Sequence, residues 1–178
     1  MLRKPAVVCL FTLTIGIFAF AQQDKSKRPS PPAQAQCKFS DGKAITVDYS
    51  SPRMKGRKIF GGLVPYGEVW RTGANEATAF NTTAGLNLEG KDVPAGNYTI
   101  FTVPEQGKWT LIINKQTGEW GIPYKYEANE LARVPMQVSR TASPVENFTI
   151  EIDQSGDRCK LNMSWENTLA SVNISEKK

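Results

Sequence analysis

The sequence predicts an all-β fold: a single-domain antiparallel β-sandwich, Greek-key or jelly-roll-like in its connections, with one long ordered loop. Three observations predict it. Apolar and polar residues alternate in short runs from Lys38 onward, turn-forming dipeptides fall between the runs, and residues 50–80 keep no period at all. Alternation with period two marks half-buried strands, and about nine or ten such runs at this spacing suit a sandwich or barrel.

The first residues, MLRKPAVVCLFTLTIGIFAFAQQ, carry Arg3 and Lys4, then an apolar run from Val7 to Phe20, then the small-x-small sequence Ala19-Phe20-Ala21. This is the order of a secretory signal peptide, and the run is short for a membrane span. Residues 1–21 are therefore expected to be a signal peptide cleaved near Ala21, with Cys9 discarded inside it and the product periplasmic or secreted. The mature chain has no second apolar run long enough to cross a bilayer. Residues 22–36, QQDKSKRPSPPAQAQ, hold three prolines and no large apolar side chain. They cannot bury enough surface to offset their ordering entropy and read as a flexible linker. Residues 37–175 are then the β-sandwich domain, large enough to bury a core unaided.

Within that domain Ile45, Val47 and Tyr49 share one face of the first clear strand. Alternation returns in Tyr98–Val103, in Trp109–Ile113 and in Leu131–Val138, where Pro135 marks an edge or bulge. It returns again in Phe148–Ile152 and Leu161–Trp165, and Val172 and Ile174 close the chain. Asp41-Gly42, Glu89-Gly90, Pro94-Ala-Gly96, Gln106-Gly107, Thr117-Gly118 and Ser155-Gly156 punctuate these runs. Val93-Pro-Ala-Gly-Asn-Tyr98 resembles a tyrosine corner, in which the phenol bonds back to the turn before it. The one helical candidate is a short piece around Tyr126 to Leu131.

Composition narrows the chemistry. There is no histidine. Ser-His-Asp and Cys-His nucleophile systems are excluded, as are the His-bearing zinc and non-haem iron sites. No metal site, cofactor motif or phosphate-cradling Gly loop is visible. The net charge of +5 falls to +3 once Arg3 and Lys4 leave, too modest for nucleic acid as a partner. Cys37 and Cys159 remain, an even pair in an exported chain. They read as a disulfide from the start of the domain to its penultimate strand, worth roughly 4–5 kcal/mol by loop closure.

The non-periodic stretch, SSPRMKGRKIFGGLVPYGEVWRTGANEATAF, has five glycines and two prolines. Disorder would leave Ile59, Phe60, Leu63, Val64, Tyr66, Val69 and Trp70 in water, so a packed loop is expected, apolar members inward and polar members outward. Arg57, Lys58 and Arg71 are its candidate anion contacts, with Asn75 beside them and Trp70 or Tyr66 as a stacking surface. The competing structural reading is a bidentate ion pair between Arg71 and Glu76. A second cluster, Asn114–Tyr126, sets Lys115, Glu119 and Trp120 near Tyr124 and Tyr126, groove-like for a sugar or simply local core.

The run SPRMKGRKIFGGLVPYGEVWRTGANEAT, then VPAGNYTIFTVP, WTLIINKQTGEWG and RVPMQV, resembles the domain-of-unknown-function 2911 family of exported bacterial proteins over about residues 50–174. The resemblance implies export, one domain and an all-β fold, and no catalytic residues to carry over. In a bacterial setting the five Asn-x-Ser/Thr sequons are silent.

Three functions stay open. One is a binding module holding a glycan or small anionic ligand in the Arg- and Trp-bearing loop. Another is a carboxylate-based glycan hydrolase using Glu68 and Glu76, with Glu119 in reserve, which needs two carboxyls facing one cavity. The last is a structural envelope domain whose loop is an ordered plug.

Overall fold

A computed structural model describes residues 24–177 of the chain; the expected signal peptide, residues 1–21, lies outside them. Nine strands form: β1 (Pro32–Lys38), β2 (Ala44–Ser50), β3 (Thr78–Thr82), β4 (Leu86–Leu88), β5 (Lys91–Val93), β6 (Gly96–Glu105), β7 (Lys108–Asn114), β8 (Glu130–Ser155) and β9 (Arg158–Glu176). All neighbours pair antiparallel in the order β1-β2-β3-β6-β7-β8-β9-β4-β5. The fold is thus all-β, one domain built on one continuous sheet rather than two separately hydrogen-bonded ones. Around Tyr126–Leu131 the helical candidate is a single 3-10 turn, Glu127–Asn129.

The expected runs merge at the C-terminal end. Leu131–Val138 and Phe148–Ile152 belong to the single strand β8, which pairs with β7 up to Met136 and with β9 from Gln137. Beyond that change, bulges between Arg140 and Thr149 shift the register of β8 against β9. The polar corner Ser139–Asn147 has no alternation to betray it as strand. Pro135 sits where β8 has its β7 partner only, an edge position of the kind where proline is tolerated. Leu161–Trp165 and Val172–Ile174 likewise lie on one strand, β9, so the cystine joins β1 to the last strand and not the penultimate one.

The sheet folds back so that β1 and β2 lie against β8 and β9. Cys37 and Cys159 are bonded, with Cα atoms 6.4 Å apart. Tyr49 OH accepts from Ile150 N at 3.0 Å, Ser51 Oγ donates to Phe148 O at 2.7 Å, and Gln154 Nε2 donates to Lys38 O at 2.6 Å. Inside lies the core: Ile45 and Val47, Ile100, Leu111 and Ile113, Phe148 and Ile150, Leu161 and Trp165, all on the inward positions that alternation assigned. Tyr98 OH donates to Pro94 O at 3.0 Å, completing the tyrosine corner. A Cβ on Gly96 would stand 3.2 Å from that hydroxyl, so the corner leaves little room there for a side chain.

Two expectations change. Residues 32–36 of the supposed linker are β1 residues paired with β2, and Ala35 is buried; two small alanines facing the core need no large apolar side chain to dock. In the loop Ile59, Phe60 and Val64 are buried as expected, but Leu63 is 47% and Tyr66 41% exposed. Val64 N bonds to Ile59 O and Leu63 N to Lys58 O, a tight turn that leaves its tip outside the core.

Candidate functional site

The turn after Trp70 decides which way each recognition residue points. Trp70 pairs by its backbone with Thr102, N to O at 2.8 Å and 2.9 Å in the two directions, and its ring enters the core. There it stacks on Trp165, centroids 5.9 Å apart, and meets Phe60 and Phe148 edge-on. Its indole N–H donates to Gly73 O at 3.1 Å. Trp70 is therefore packing, not a stacking platform: it lies directly opposite Thr102, which shares the inward face of β6 with Ile100, and opposed residues of an antiparallel bridge point the same way.

Arg71, one residue on, faces the opposite way. Thr72 then takes φ 55°, a left-handed conformation unfavourable for a β-branched residue, while fully buried. Its neighbours hold it there: Thr78 Oγ1 donates to Thr72 O at 2.7 Å, and Thr72 Oγ1 lies 3.2 Å from Thr102 Oγ1. Asn75, at φ 58°, is a residue type that tolerates this region, and its Nδ2 donates to Ser30 O at 3.0 Å.

This turn meets the second cluster. Ala77 N donates to Glu119 O at 2.9 Å. Gly121, at φ 86°, fits so closely that a Cβ there would lie 2.9 Å from both the Ala77 and Arg71 Cβ atoms. Arg71 Nη1 donates to Asn75 O at 2.5 Å and to Trp120 O at 3.3 Å, and its Cζ stands 5.0 Å from the Trp120 ring centroid. Trp120 itself is 55% exposed. One ring face is fixed by a guanidinium; exposed ring surface remains beside it. Burial pulls the Arg71 pKa down, and the nearby charge of Glu76 pushes it back up. Behind Trp120, Tyr124 and Tyr126 pack on Phe101, with centroids 4.8 and 5.9 Å away. Phe101 points away from the main core yet is fully buried, so the Asn114–Tyr126 cluster is partly core and partly surface.

The ion pair between Arg71 and Glu76, the alternative to a ligand contact, does not form. Glu76 instead receives Arg28 Nη1 on both oxygens, at 3.0 and 2.8 Å, with Lys25 Nζ 3.5 Å away. Its own backbone N–H and then Arg28 hold its carboxyl below the ordinary range, against some desolvation. Beside it a groove of about 250 Å³ runs over the outer face of the sheet. Asp48, Ala79 and Thr99 of three neighbouring strands line it, together with Lys25, Pro32, Glu76 and Gly118.

The remaining candidates lie apart from this surface by their contacts. Arg57 donates Nε to Met54 O at 3.0 Å and Nη2 to Arg53 O at 2.6 Å, closing its own loop. Lys58 and Tyr66 are exposed and flank Gly61, whose Cβ would sit 2.7 Å from the Tyr66 ring. Glu68 is exposed beside Gly67, which bonds to Pro104 O. Lys115 is exposed just past β7. Arg71, Asn75, Glu76 and Trp120 are brought together; the others are not. Sequence reasoning missed Lys25, Arg28 and Asp48. Lys25 and Arg28 were assigned to the linker, and only their sign, opposite to Glu76, could have hinted at the pairing. Among the described residues no group of three or more Cys, Asp or Glu is placed to hold a metal ion. A larger cleft, about 670 Å³, opens elsewhere, between the β4–β5 and β8–β9 turns, and is lined by none of the ten recognition candidates.

One comparison with known proteins gives a match. A family model described as a protein of unknown function, DUF2911, covers residues 30–174. No curated protein and no solved structure matches the chain.

Proposed function

The chain belongs to the DUF2911 family of proteins of unknown function, and we propose that it is an exported binding module that holds a glycan across Trp120 and into the groove beside Glu76. The observation that carries this reading is Trp120. A large aromatic ring left 55% exposed, two residues along the chain from Gly118 of the groove lining and held by a guanidinium over its face, is a preorganised platform. The C–H face of a pyranose fits such a ring, and the hydroxyls find acceptors and donors in Asp48, Thr99, Glu76 and Lys25. The fixed geometry lowers the ordering cost of binding. Export agrees with the disulfide, a bond of oxidising compartments, and no helix among the described residues is long and apolar enough to cross a membrane.

Hydrolysis is supported less well. A general acid needs a raised carboxyl pKa, whereas Glu76 is held low by its own amide and Arg28. Glu119 carries a hydrogen bond from Gln116 Nε2 at 2.7 Å, and Glu68 stands exposed on its separate turn.

The test compares the purified protein with Trp120→Ala against N-acetylglucosamine and glucose oligosaccharides, by calorimetry and thermal shift. Because Trp120 is mostly exposed, the variant alone melts within about 2 °C of the parent. The parent is stabilised by about 2.7 kcal/mol at a hundredfold excess over Kd, and the variant is not. A parent that no oligosaccharide shifts, or a variant that responds equally, removes the proposal and leaves the structural-plug reading.

A further inference from the structure

The larger cleft asks for its own explanation, since it shares no residue with the Trp120 surface. One wall is the β4–β5 turn, Glu89-Gly90, and the other is the β8–β9 turn from Asp153 to Arg158. Lys160, Asn173 and Ser175 of β9 lie between them. Its volume of about 670 Å³ falls in the range of small-ligand sites. No aromatic side chain lines it; apart from Gly90, Cys159 and Ile174 the lining residues carry polar or charged side chains.

The first sign of construction is Glu89. It occupies the first position of a two-residue turn with both φ values positive, 46° for Glu89 and 87° for Gly90. That turn favours Asn or Gly where Glu89 stands. The Glu side chain reaches from β4 across to β9, where Oε1 accepts from Asn173 N at 3.2 Å and Asn173 Nδ2 at 2.8 Å. A carboxylate is thereby pinned on the cleft wall at a cost in backbone strain. The second sign is Asp153. It stands directly opposite Lys160 in the ladder, yet its Oδ2 accepts from Asn162 Nδ2 at 2.7 Å and no ion pair forms between them among the described residues. Both carboxylates are oriented by neutral amides, which position a charge without cancelling it. Arg158 and Lys160, lining the same cleft, have no ion-pair or hydrogen-bond partner for their side chains among the described residues. The frame is stiff. Cys159 between them is bonded to Cys37, and Gln154 Nε2 ties the turn to Lys38 O and Gly156 O.

We propose that this cleft is a second ligand site, for an acidic saccharide bearing a uronate carboxylate. Arg158 and Lys160 receive the ligand carboxylate, for which the planar guanidinium offers a matching pair of donors. Glu89 and Asp153 accept its hydroxyl protons with the lone pairs their asparagines leave open. Asn87 and Ser175 supply further polar contacts along the lining. The absence of an aromatic platform separates this site from the Trp120 surface, which suits a neutral ring face. The two sites are therefore independent in chemistry as in residues.

The experiment is calorimetric titration of the purified protein with trigalacturonate at low salt, with neutral galactose trisaccharide and acetate as controls. Trigalacturonate binds, the neutral trisaccharide and acetate bind at least tenfold more weakly, and raising the salt weakens binding. The double variant Arg158→Gln/Lys160→Gln loses at least tenfold in affinity with an unchanged melting temperature. Glu89→Gln, which retains an acceptor for Asn173, also binds more weakly. Trp120→Ala leaves trigalacturonate affinity unchanged, so the two sites fail or succeed separately. No binding at millimolar trigalacturonate overturns the proposal. So does binding that the double variant retains, or acetate binding as tightly, which would reduce the cleft to a simple anion contact.

Discussion

Removing the Cys37–Cys159 bridge by the pair Cys37→Ala/Cys159→Ala loses a closed loop spanning a sequence separation of 122 residues. The loop-closure relation gives about 16 cal/mol/K for a loop of this size, or roughly 5 kcal/mol at 25 °C. Both cysteines are 2% exposed, so the small voids left by two sulfur atoms add to the loss. For a domain of this length each kcal/mol moves the melting temperature by about 2–4 °C, so the variant melts roughly 10–20 °C below the parent. Circular dichroism with and without reductant separates the contributions: reducing the parent gives nearly the loss of the double variant if chain entropy dominates. Hydrogen exchange locates it. β1 is an edge strand whose ladder partner is β2 alone, so its amides from Ala33 to Lys38 lose protection first. A fall of less than about 4 °C, or unchanged protection in β1, would show that the turn back of the sheet is held by packing rather than by the bridge.

Tyr98→Phe removes the bond to Pro94 O while keeping the ring, and costs about 1 kcal/mol by urea unfolding. Gly121→Ala puts a side chain in left-handed backbone against Ala77 and Arg71, and costs about 3 kcal/mol; a changed tryptophan emission would report Trp120 leaving its seat. Glu76 has a folded pKa below its ordinary value of 4.5. Its contribution is full above that value and fades as pH falls through the lower folded value. Glu76→Gln is accordingly less stable than the parent at pH 6, and the two converge in a series of thermal melts as the pH falls below the lowered folded value.

Much of the fold is legible because alternation is a local signal. Ile45, Val47, Leu111, Phe148 and Leu161 declare their inward faces by spacing alone, and the Gly-centred turns declare the breaks. The Cys37–Cys159 pairing was readable from a count of two. What was not readable depends on distant partners. β8 reads as two strands because Ser139–Asn147 lacks alternation, and its extension there rests on distant partners, β9 at Val145 and residues 52–54 at positions 146–148. Glu76 looked paired with Arg71 because they are five residues apart, but the folded chain brings Arg28 to it from 48 residues away. Trp70 reads from the sequence as a stacking surface, but the bridge to Thr102 turns its ring into the core. The 670 Å³ cleft left no trace in the sequence, because its polar residues are scattered over three segments with no shared motif.

The bridge also fixes an order of events in the life of each molecule. Cys37 sits at the beginning of the folded part and Cys159 near its end, so the earliest strand to be made waits for the latest before its covalent partner exists. A chain truncated anywhere before Cys159 retains an unmatched thiol on its leading strand. That would mark an unfinished copy for any machinery that inspects free sulfhydryls.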